Sequence, residues 1–306
     1  MRALVLTGAR RVEVTDVSRP QAGPGQVLLR VKACGVCGSD LNAWRGAPGL
    51  EYPLQPGQPG HEVWGEIAEL GKGVDNVHVG QTATGMAQNG YAEYVVTRAE
   101  DLVPVADPEH PLLGEPLACA ANIVRRAAVQ PDDSLAVVGF SFLTALVVSL
   151  MRPSGRWIAI SRRQDSRDLA LNLGASATYA FDAVPSTCWD SFPVVIEGAG
   201  VQQTLDYASW LVGYGGRLVI AGYHADGPRS VNLQTWNWKG IDVVNAHERQ
   251  PEVYRRGLRE GLERVREHQL DPAGLVTHTW PLDRAAEAFT ALEQRPPGFI
   301  KGIVTP

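Results

Sequence analysis

The first third of the chain alternates apolar and polar positions, which is the pattern of strands that bury one face. The segments ALVLT, RVEVTDV and QVLLRVKACGV show this alternation, and the turn signals GA and QAGPGQ separate them. HEVWGEIAEL and GYAEYVVT continue the same pattern. We therefore predict that this region is built mainly from β-strands.

From about residue 121 the pattern changes to short, continuous apolar runs that alternate with amphipathic segments. The runs SLAVVGF, RWIAIS, FPVVIEGAG and GRLVIAGY are typical of buried parallel strands, and helical segments such as FLTALVVSLM and QQTLDYASWLV separate them. Strands that alternate with helices indicate right-handed βαβ units in a doubly wound parallel sheet. Farther on, Trp236 and Trp238 alternate as they would in a strand. The predicted fold class is therefore α/β.

Composition narrows the class of protein. The chain has 306 residues, a formal net charge of -5 and scattered basic residues, so no electrostatic feature favours nucleic acid or an anionic membrane. No apolar run approaches the roughly 20 residues of a membrane span. The N-terminus MRALVLTGARRVEV lacks the form of a signal peptide. We expect a cytoplasmic enzyme with a small-molecule substrate.

Two cysteines and one histidine form the most informative chemical pattern. Cys34 and Cys37 have a CxxC spacing, but there is no second CxxC, and no βαβ unit surrounds the pair, so neither a structural zinc site nor a redox pair is favoured. Downstream, Gly60-His61-Glu62 offers an imidazole and a carboxylate. A catalytic zinc takes three protein ligands and an exchangeable water, and this set of side chains suits that requirement.

These residues carry a family resemblance. GHEVWGEIAELGKGV, residues 60–74, resembles the zinc-containing alcohol dehydrogenase signature of the medium-chain dehydrogenase/reductase family. CGSD is similar to the segment that supplies the zinc cysteine in polyol and threonine dehydrogenases, which corresponds to Cys37 and not Cys34. GEPLACA resembles the sorbitol dehydrogenase segment in which a glutamate, here Glu115, lies beside the metal.

The resemblance implies a two-domain architecture. A GroES-like β-rich catalytic domain would comprise residues 1–120 and 249–306, and a Rossmann dinucleotide-binding domain would comprise residues 121–248. It also implies a homodimer or homotetramer.

The resemblance further implies roles for the residues of the metal site. Cys37 and His61 would bind zinc, with Glu62 or Glu115 as the third ligand. Ser39 would hydrogen-bond the zinc-bound hydroxyl and begin the proton relay. Asp40 would accept a hydrogen bond from the far nitrogen of His61. The alternative roles are a turn residue for Ser39 and a helix cap for Asp40.

The chain departs from many relatives in the region of a second metal. Where they carry a lobe with four cysteines for a structural zinc, this chain has only GMAQNGY, residues 85–91. We therefore expect one catalytic zinc and no structural zinc. Trp44, Trp64 and Tyr91 lie near the metal motifs in sequence, so they are candidates for the substrate pocket, although aromatic side chains more often pack in a core.

The nucleotide-binding loop also departs from its pattern. A dinucleotide fingerprint places three glycines between the first strand and its helix, but Gly139-Phe-Ser141-Phe-Leu-Thr144 keeps only the first of them. Ser141 could hydrogen-bond a phosphate, whereas Thr144 should push the helix away from the strand. The interval from Glu115 to Gly139 nevertheless equals that of sorbitol-dehydrogenase-like chains. Gly198, after the third strand of this region, is a further and weaker candidate for the cofactor site.

The end of the second strand bears on the choice of cofactor. Ser161, Arg162 and Arg163 stand where an acidic residue would accept a hydrogen bond from the 2′-hydroxyl of NAD, and arginine accommodates the 2′-phosphate of NADP. NADP is therefore favoured over NAD.

The predicted reaction is reversible oxidation of a secondary alcohol of the polyol, sugar or amino alcohol type to its ketone, with His61, Glu62, Ser39 and Asp40 at the catalytic centre. A zinc-free quinone or enoyl reductase, and a non-redox member of the family with an eroded nucleotide site, are the alternatives.

Overall fold

The computed structural model describes residues 1–106 and 109–306 of the chain. The strands are β1 Arg2–Gly8, β2 Arg11–Asp16, β3 Gln26–Gly35, β4 Glu62–Leu70, β5 Thr82–Met86, β6 Tyr94–Arg98, β7 Leu102–Pro104, β8 Leu135–Val138, β9 Trp157–Ile160, β10 Ala177–Tyr179, β11 Phe192–Glu197, β12 Val212–Ile220, β13 Asp242–Asn245, β14 Val276–Pro281 and β15 Lys301–Thr305. The helices are α1 Asp40–Arg45, α2 Gly114–Ala127, α3 Phe142–Met151, α4 Gln164–Asn172, α5 Gln202–Leu211, α6 Leu233–Lys239, α7 Pro251–Glu267 and α8 Ala285–Gln294. None of these helices combines the length and the apolar character that crossing a bilayer requires.

The chain forms two compact units. Unit 1 consists of Met1–Ala118 together with Leu258–Pro306, and unit 2 is Cys119–Gly257. Both ends of the chain therefore belong to unit 1. The first boundary lies within α2, and the second lies within α7 rather than ahead of it at residue 248.

Unit 1 is organised around β3, the longest strand of its sheet. β4 pairs antiparallel along one edge of β3, while β6 and β15 share the other edge at its two ends. The full order is β14-β15-β3-β4-β5-β7, and β1 and β2 form a separate two-stranded sheet. Val27, Leu28 and Leu29 of β3 are all fully buried, so both faces of the strand are covered here and burial does not follow the one-sided alternation expected for QVLLRVKACGV.

Unit 2 contains a six-stranded parallel sheet in the order β10-β9-β8-β11-β12-β13. Numbered within the unit, this order is 3-2-1-4-5-6, which is the arrangement of a doubly wound dinucleotide-binding fold. Strands β8 and β9 are buried at every position because helices cover both faces of such a sheet. The predicted fold class is confirmed.

The strand predicted around Trp236 and Trp238 is wrong, because both residues lie on α6. The Asn232 side chain accepts a hydrogen bond from the Thr235 backbone N–H and begins the helix, and Gly240 ends it in the left-handed conformation with φ of 62°. These two end signals determine the local structure, and the alternation of two tryptophans does not.

A cluster of charges on Glu293 ties α8 to α1 and to the turn between β1 and β2. The carboxylate accepts hydrogen bonds from Arg10 Nη2 at 2.7 Å, from Arg45 Nε at 2.8 Å and from Trp44 Nε1 at 3.3 Å. The hydrogen bonds from the two arginines lower the pKa of Glu293 to about 2. The cluster therefore fixes α1, the helix that begins with Asp40.

We predict that Glu293→Gln is less stable than the wild type at neutral pH by about 1 kcal/mol, the upper range for exposed ion pairs. Since the pKa of Glu293 is lowered from 4.5 to about 2 in the folded protein, its contribution is complete above the unfolded value. That contribution is lost as the pH falls towards 2. Urea unfolding at several pH values should show the difference between variant and wild type shrinking below pH 4.5. A difference that stays constant down to the lowest pH would contradict the assignment.

Candidate metal centre and nucleotide site

The register of two strands brings the predicted metal ligands together. β3 ends at Gly35 and β4 begins at Glu62, and these two residues are paired directly in the antiparallel ladder. Cys37 follows the end of one strand by two residues, and His61 immediately precedes the other strand. Residues separated by more than twenty positions in the chain therefore meet at one end of the sheet.

Cys37, His61 and Glu62 form a cluster in which one potential ligand atom from each residue lies within 4.8 Å of the others. Glu62 is buried, with 1% of its surface exposed, and the other two residues are partly exposed. Cys34 does not belong to the cluster. It lies buried in β3, and burial raises the pKa of its thiol, so this thiol is a core group.

Asp40 connects the cluster to helix α1. Its side chain is 1% exposed, and its Oδ2 accepts a hydrogen bond from the Cys37 backbone N–H at 2.9 Å. Its Oδ1 lies 3.4 Å from His61 Nδ1, and the Pro59 carbonyl oxygen lies 3.0 Å from the same nitrogen. Because both neighbours of Nδ1 are acceptors, this nitrogen carries a proton, which leaves Nε2 as the nitrogen available to a metal ion.

Ser39 precedes Asp40 at the N-cap position of α1. Its side chain makes no capping hydrogen bond, and the residue is partly exposed. Asp40 is the first residue of the helix, and its side chain bonds to the Cys37 N–H, which lies ahead of the helix, so this bond ties the helix start to the backbone of Cys37.

Lys301 is a residue of this site that the sequence interpretation missed. Its Nζ lies 2.5 Å from Glu62 Oε2 and donates a hydrogen bond to the Val36 carbonyl oxygen at 2.9 Å. The side chain is almost completely buried. The pairing of β15 with β3 at Gly35 places this lysine here, near the C-terminal end of the chain. A lysine inside the otherwise apolar segment FIKGIVT was the available signal.

The charges around the cluster shift two pKa values. Burial disfavours the charged form of His61, but the adjacent Asp40 and Cys37 side chains outweigh it and raise the pKa of His61 well above its ordinary value. Burial also opposes the ammonium of Lys301, whereas the Glu62 carboxylate raises the pKa of that lysine. The cluster is therefore surrounded by negative charge and favours positive charge at its centre.

Glu115, the other candidate ligand, is the second residue of α2. The Gly114 backbone N–H donates to Thr84 Oγ1 at 2.8 Å, so a buried threonine of β5 anchors the start of this helix. Among the described residues, the compact cluster contains Glu62 and does not contain Glu115.

The three aromatic residues near the metal motifs are packed inside unit 1. Trp44, Trp64 and Tyr91 have at most 5% of their surfaces exposed, and Trp44 and Tyr91 both contact the Phe289 ring. The idea that they line a substrate pocket is therefore not supported for these side chains.

In unit 2, Gly139 and Thr144 follow β8 and lie against the turn that follows β11, which contains Gly198 and Ala199. Gly139 has φ of 86°, and a Cβ at this position would lie 2.9 Å from the Ala199 backbone nitrogen. Thr144 Oγ1 accepts a hydrogen bond from the Ser141 backbone N–H at 2.8 Å. The Thr144 methyl lies over Gly198, where a Cβ would come within 2.4 Å of it. The dinucleotide fingerprint usually has a glycine in the helix where this chain has Thr144. Here Gly198, after β11, supplies the space for the Thr144 side chain.

The turn after β9 presents the arginines that the sequence assigned to the cofactor. Ser161 is buried and Arg162 is exposed. Arg167 Nη1 donates to the carbonyl oxygens of Ser161 and Arg162 at 2.7 and 2.9 Å, so α4 fixes the backbone of this turn. Arg163 forms an ion pair with Asp165 at 3.1 Å.

Glu197, at the end of β11, is a further buried charge that the sequence interpretation missed. Its Oε1 accepts hydrogen bonds from the Ala199 and Gly200 backbone N–H groups at 2.9 and 2.7 Å. His224 Nε2 lies 3.1 Å from Oε2, and Arg229 Nε donates to the other nitrogen of the same ring at 2.9 Å. This network holds the turns that follow β11 and β12.

Comparisons with known proteins agree with these observations. Residues 23–107 match the family of the alcohol dehydrogenase GroES-like domain. The chain is 26% identical to the sorbitol dehydrogenase of Halalkalibacterium halodurans, over 100% of this chain and 99% of the relative. It is 24% identical to the L-galactonate-5-dehydrogenase of Escherichia coli K12, with 94% and 93% covered.

Solved structures show the same fold. A thermostable alcohol dehydrogenase from Pyrobaculum aerophilum, with cobalt and zinc bound, superposes with a TM-score of 0.83 at 25% identity, covering 100% of this chain and 99% of that one. A protein from Sinorhizobium meliloti 1021, assigned as a zinc-binding dehydrogenase and bound to NADP, gives a TM-score of 0.84 at 24% identity with the same coverage. The fold and the metal cluster define a two-domain dehydrogenase of the GroES-like and Rossmann type. Residues 23–107 match the GroES-like domain of alcohol dehydrogenases, and over its whole length the chain is similar to alcohol and polyol dehydrogenases.

We predict that Gly35→Ala disrupts the metal cluster from within the core. The added Cβ would lie 2.0 Å from Glu62 Oε2 and 2.8 Å from Leu113 Cδ1, so the carboxylate that pairs with Lys301 must shift. We expect a loss of about 1–3 kcal/mol in the free energy of unfolding, as for other overpacked cores, and a loss of bound zinc.

Gly38→Ala is the matched control, because a Cβ there meets no atom within 4 Å. Urea unfolding and zinc quantification of the two variants make the comparison. Equal stability and equal zinc content in both would show that the Glu62 carboxylate does not depend on the space above Gly35.

Proposed function

We propose that this chain is a zinc-dependent oxidoreductase that interconverts a secondary alcohol and its ketone with NAD(P). The observation that carries the proposal is the cluster of Cys37, His61 and Glu62 at the paired ends of β3 and β4. The names of the relatives support a polyol or sugar alcohol as substrate, since they include sorbitol and L-galactonate-5-dehydrogenases.

The residues of the cluster fit one zinc ion. A thiol, an imidazole and a carboxylate are the donors that zinc takes in catalytic sites, with a fourth position left for an exchangeable ligand. Asp40 Oδ1 is buried and has no hydrogen-bond partner within the described ranges, so negative charge next to His61 is left uncompensated. We propose Cys37, His61 and Glu62 as the zinc ligands. When Glu62 stays paired with Lys301, Glu115 takes its place as the carboxylate ligand.

Each residue has a defined task in the proposed reaction. A bound zinc supplies Lewis acidity that lowers the pKa of the alcohol, and NAD(P) supplies the hydride acceptor. Asp40 and Pro59 hold the His61 ring so that Nε2 faces the cluster. The Ser39 hydroxyl makes no capping bond and is partly exposed, so it would take the proton of the alcohol while giving its own proton to solvent water.

The experiment combines zinc quantification with turnover of secondary alcohols. The wild type purified without chelator should contain about one zinc per chain, and Cys37→Ala should lose the metal together with at least about 100-fold of its activity. Cys34→Ala is the control, because this neighbouring thiol is buried outside the cluster. A wild type without zinc, or a Cys37→Ala variant that keeps both zinc and activity, would overturn the proposal.

We propose NADP as the preferred cofactor, held in unit 2 by the glycines at 139 and 198, the Ser141-to-Thr144 helix start and the turn at 161–163. Exposed Arg162, after the second strand of the parallel sheet, is the group that would meet the 2′-phosphate. The fixed backbone of this turn supports that role.

We predict that the wild type binds NADPH at least about 10-fold more tightly than NADH, and that Arg162→Ala removes this preference without weakening NADH, a change of about 1.4 kcal/mol. Arg156→Ala is the matched control, since Arg156 is also exposed but precedes the same strand at its opposite end. Fluorescence titration measures all the affinities.

The same titration and the zinc quantification together decide between the alternatives. A non-redox protein with an eroded nucleotide site has one supporting observation, the Ser141 N–H occupied by Thr144, and it predicts no affinity for either cofactor. A zinc-free quinone or enoyl reductase predicts cofactor binding without zinc, and the metal cluster argues against it.

We also propose that the protein self-associates as a dimer or tetramer. β13 pairs only with β12 among the described strands, so one edge of the parallel sheet is open. Trp238 and Leu233 of α6 are 78% and 69% exposed. Light scattering at micromolar concentration tests this, and a monomeric mass would contradict it.

A further inference from the structure

Tyr91 lies in the connection between β5 and β6, and its whole side chain is buried in unit 1. The phenol oxygen lies 2.6 Å from Asp40 Oδ2 and 3.1 Å from the Gly35 carbonyl oxygen. Both neighbours are acceptors, so the hydroxyl must be protonated, and it donates to the closer Asp40. Burial and the charge of Asp40 raise the pKa of Tyr91 well above its ordinary value, which keeps it a donor.

This hydrogen bond determines how the Asp40 carboxylate is oriented. The Tyr91 hydroxyl and the Cys37 backbone N–H both donate to Oδ2. Because Oδ2 accepts two hydrogen bonds, the plane of the carboxylate is fixed and Oδ1 is directed at His61 Nδ1. A carboxylate that keeps only the Cys37 bond is free to rotate, since its Oδ1 has no hydrogen-bond partner in the described part of the chain.

The ring of Tyr91 is fixed independently of its hydroxyl. It packs edge-on against Phe289 with ring centroids 5.4 Å apart. It also fills the space beside Gly60, where a Cβ would come within 2.9 Å of the ring. Phenylalanine would preserve these contacts, so the packing and the hydrogen bond can be separated by one substitution.

We propose that Tyr91 is a positioning residue for the metal centre: its hydroxyl locks Asp40, and Asp40 in turn holds His61 in the orientation that binds zinc. This inference rests on the proposed zinc site and adds a third layer to it, ligand to carboxylate to phenol. Groups that orient a histidine ligand change metal affinity by about 10–100-fold, and the tyrosine acts through one of them.

The test is the zinc affinity of the full-length Tyr91→Phe variant, measured by competition with a chromophoric chelator. We expect affinity about 10-fold below the wild type, and a changed visible spectrum of the Co²⁺-substituted protein. Tyr52→Phe is the matched control, because the Tyr52 hydroxyl donates to the Ala43 carbonyl of the same helix α1 and does not touch Asp40. This control should bind zinc like the wild type.

A double-mutant cycle with Asp40→Asn distinguishes positioning from general destabilisation. If Tyr91 acts through Asp40, the two substitutions together should weaken zinc binding no more than Asp40→Asn alone. Thermal unfolding of the metal-free proteins provides the second readout, since a purely structural role would lower the stability of the metal-free protein and leave zinc affinity unchanged.

The outcomes are distinct. Zinc affinity of Tyr91→Phe within about twofold of the wild type, or fully additive effects in the cycle, would overturn the inference and leave the proposed function intact. A wild type that binds no zinc would overturn both.

Discussion

The metal centre depends on one constraint, the pairing of Gly35 with Glu62 at the shared end of β3 and β4. This register places Cys37 and His61 beside Glu62, and the pairing of Gly35 with Ile303 on the other edge brings Lys301 to the same place. Three distant segments of unit 1 therefore converge on one residue that has no side chain. The absence of a side chain is required, because the Glu62 carboxylate occupies the space above it.

The metal centre contains several buried charged side chains. Asp40, Glu62 and Lys301 each have at most 5% of their surface exposed, and taking such groups out of water costs several kcal/mol for each ion. The Cys37 backbone N–H and the Tyr91 hydroxyl offset part of this cost for Asp40, and the ion pair offsets part for Glu62 and Lys301. A divalent cation held by Cys37 and His61 would neutralise the remaining negative charge, so an arrangement that is expensive without metal becomes favourable with it.

Local pattern was sufficient for most of the architecture. The pattern around residues 26–36 and the apolar runs after residue 134 predicted β3 and the parallel strands, although β3 is buried on both faces over residues 27–29 and not on one face as its alternation indicated. The residues of CGSD and GHE could be joined only through a family resemblance, since spacing alone does not reveal which strand ends meet. Lys301 and the network of Glu197 with His224 could not be predicted in this way, because they depend on pairing between distant segments. The strand predicted around Trp236 and Trp238 was wrong for another reason: the end signals Asn232 and Gly240 determine a helix there, and they outweigh the alternation of the two tryptophans.

The contact between Thr144 and Gly198 has a wider consequence for how such proteins are recognised. Close approach of a helix to a strand needs one partner without a side chain, and geometry does not specify which partner that is. In this chain the helix carries a side chain, Thr144, and the residue without a side chain is Gly198, which follows the neighbouring strand. Searches that demand glycine at one position of the loop will therefore overlook chains in which the same fit is achieved from the opposite side, and a pairwise criterion would recover them.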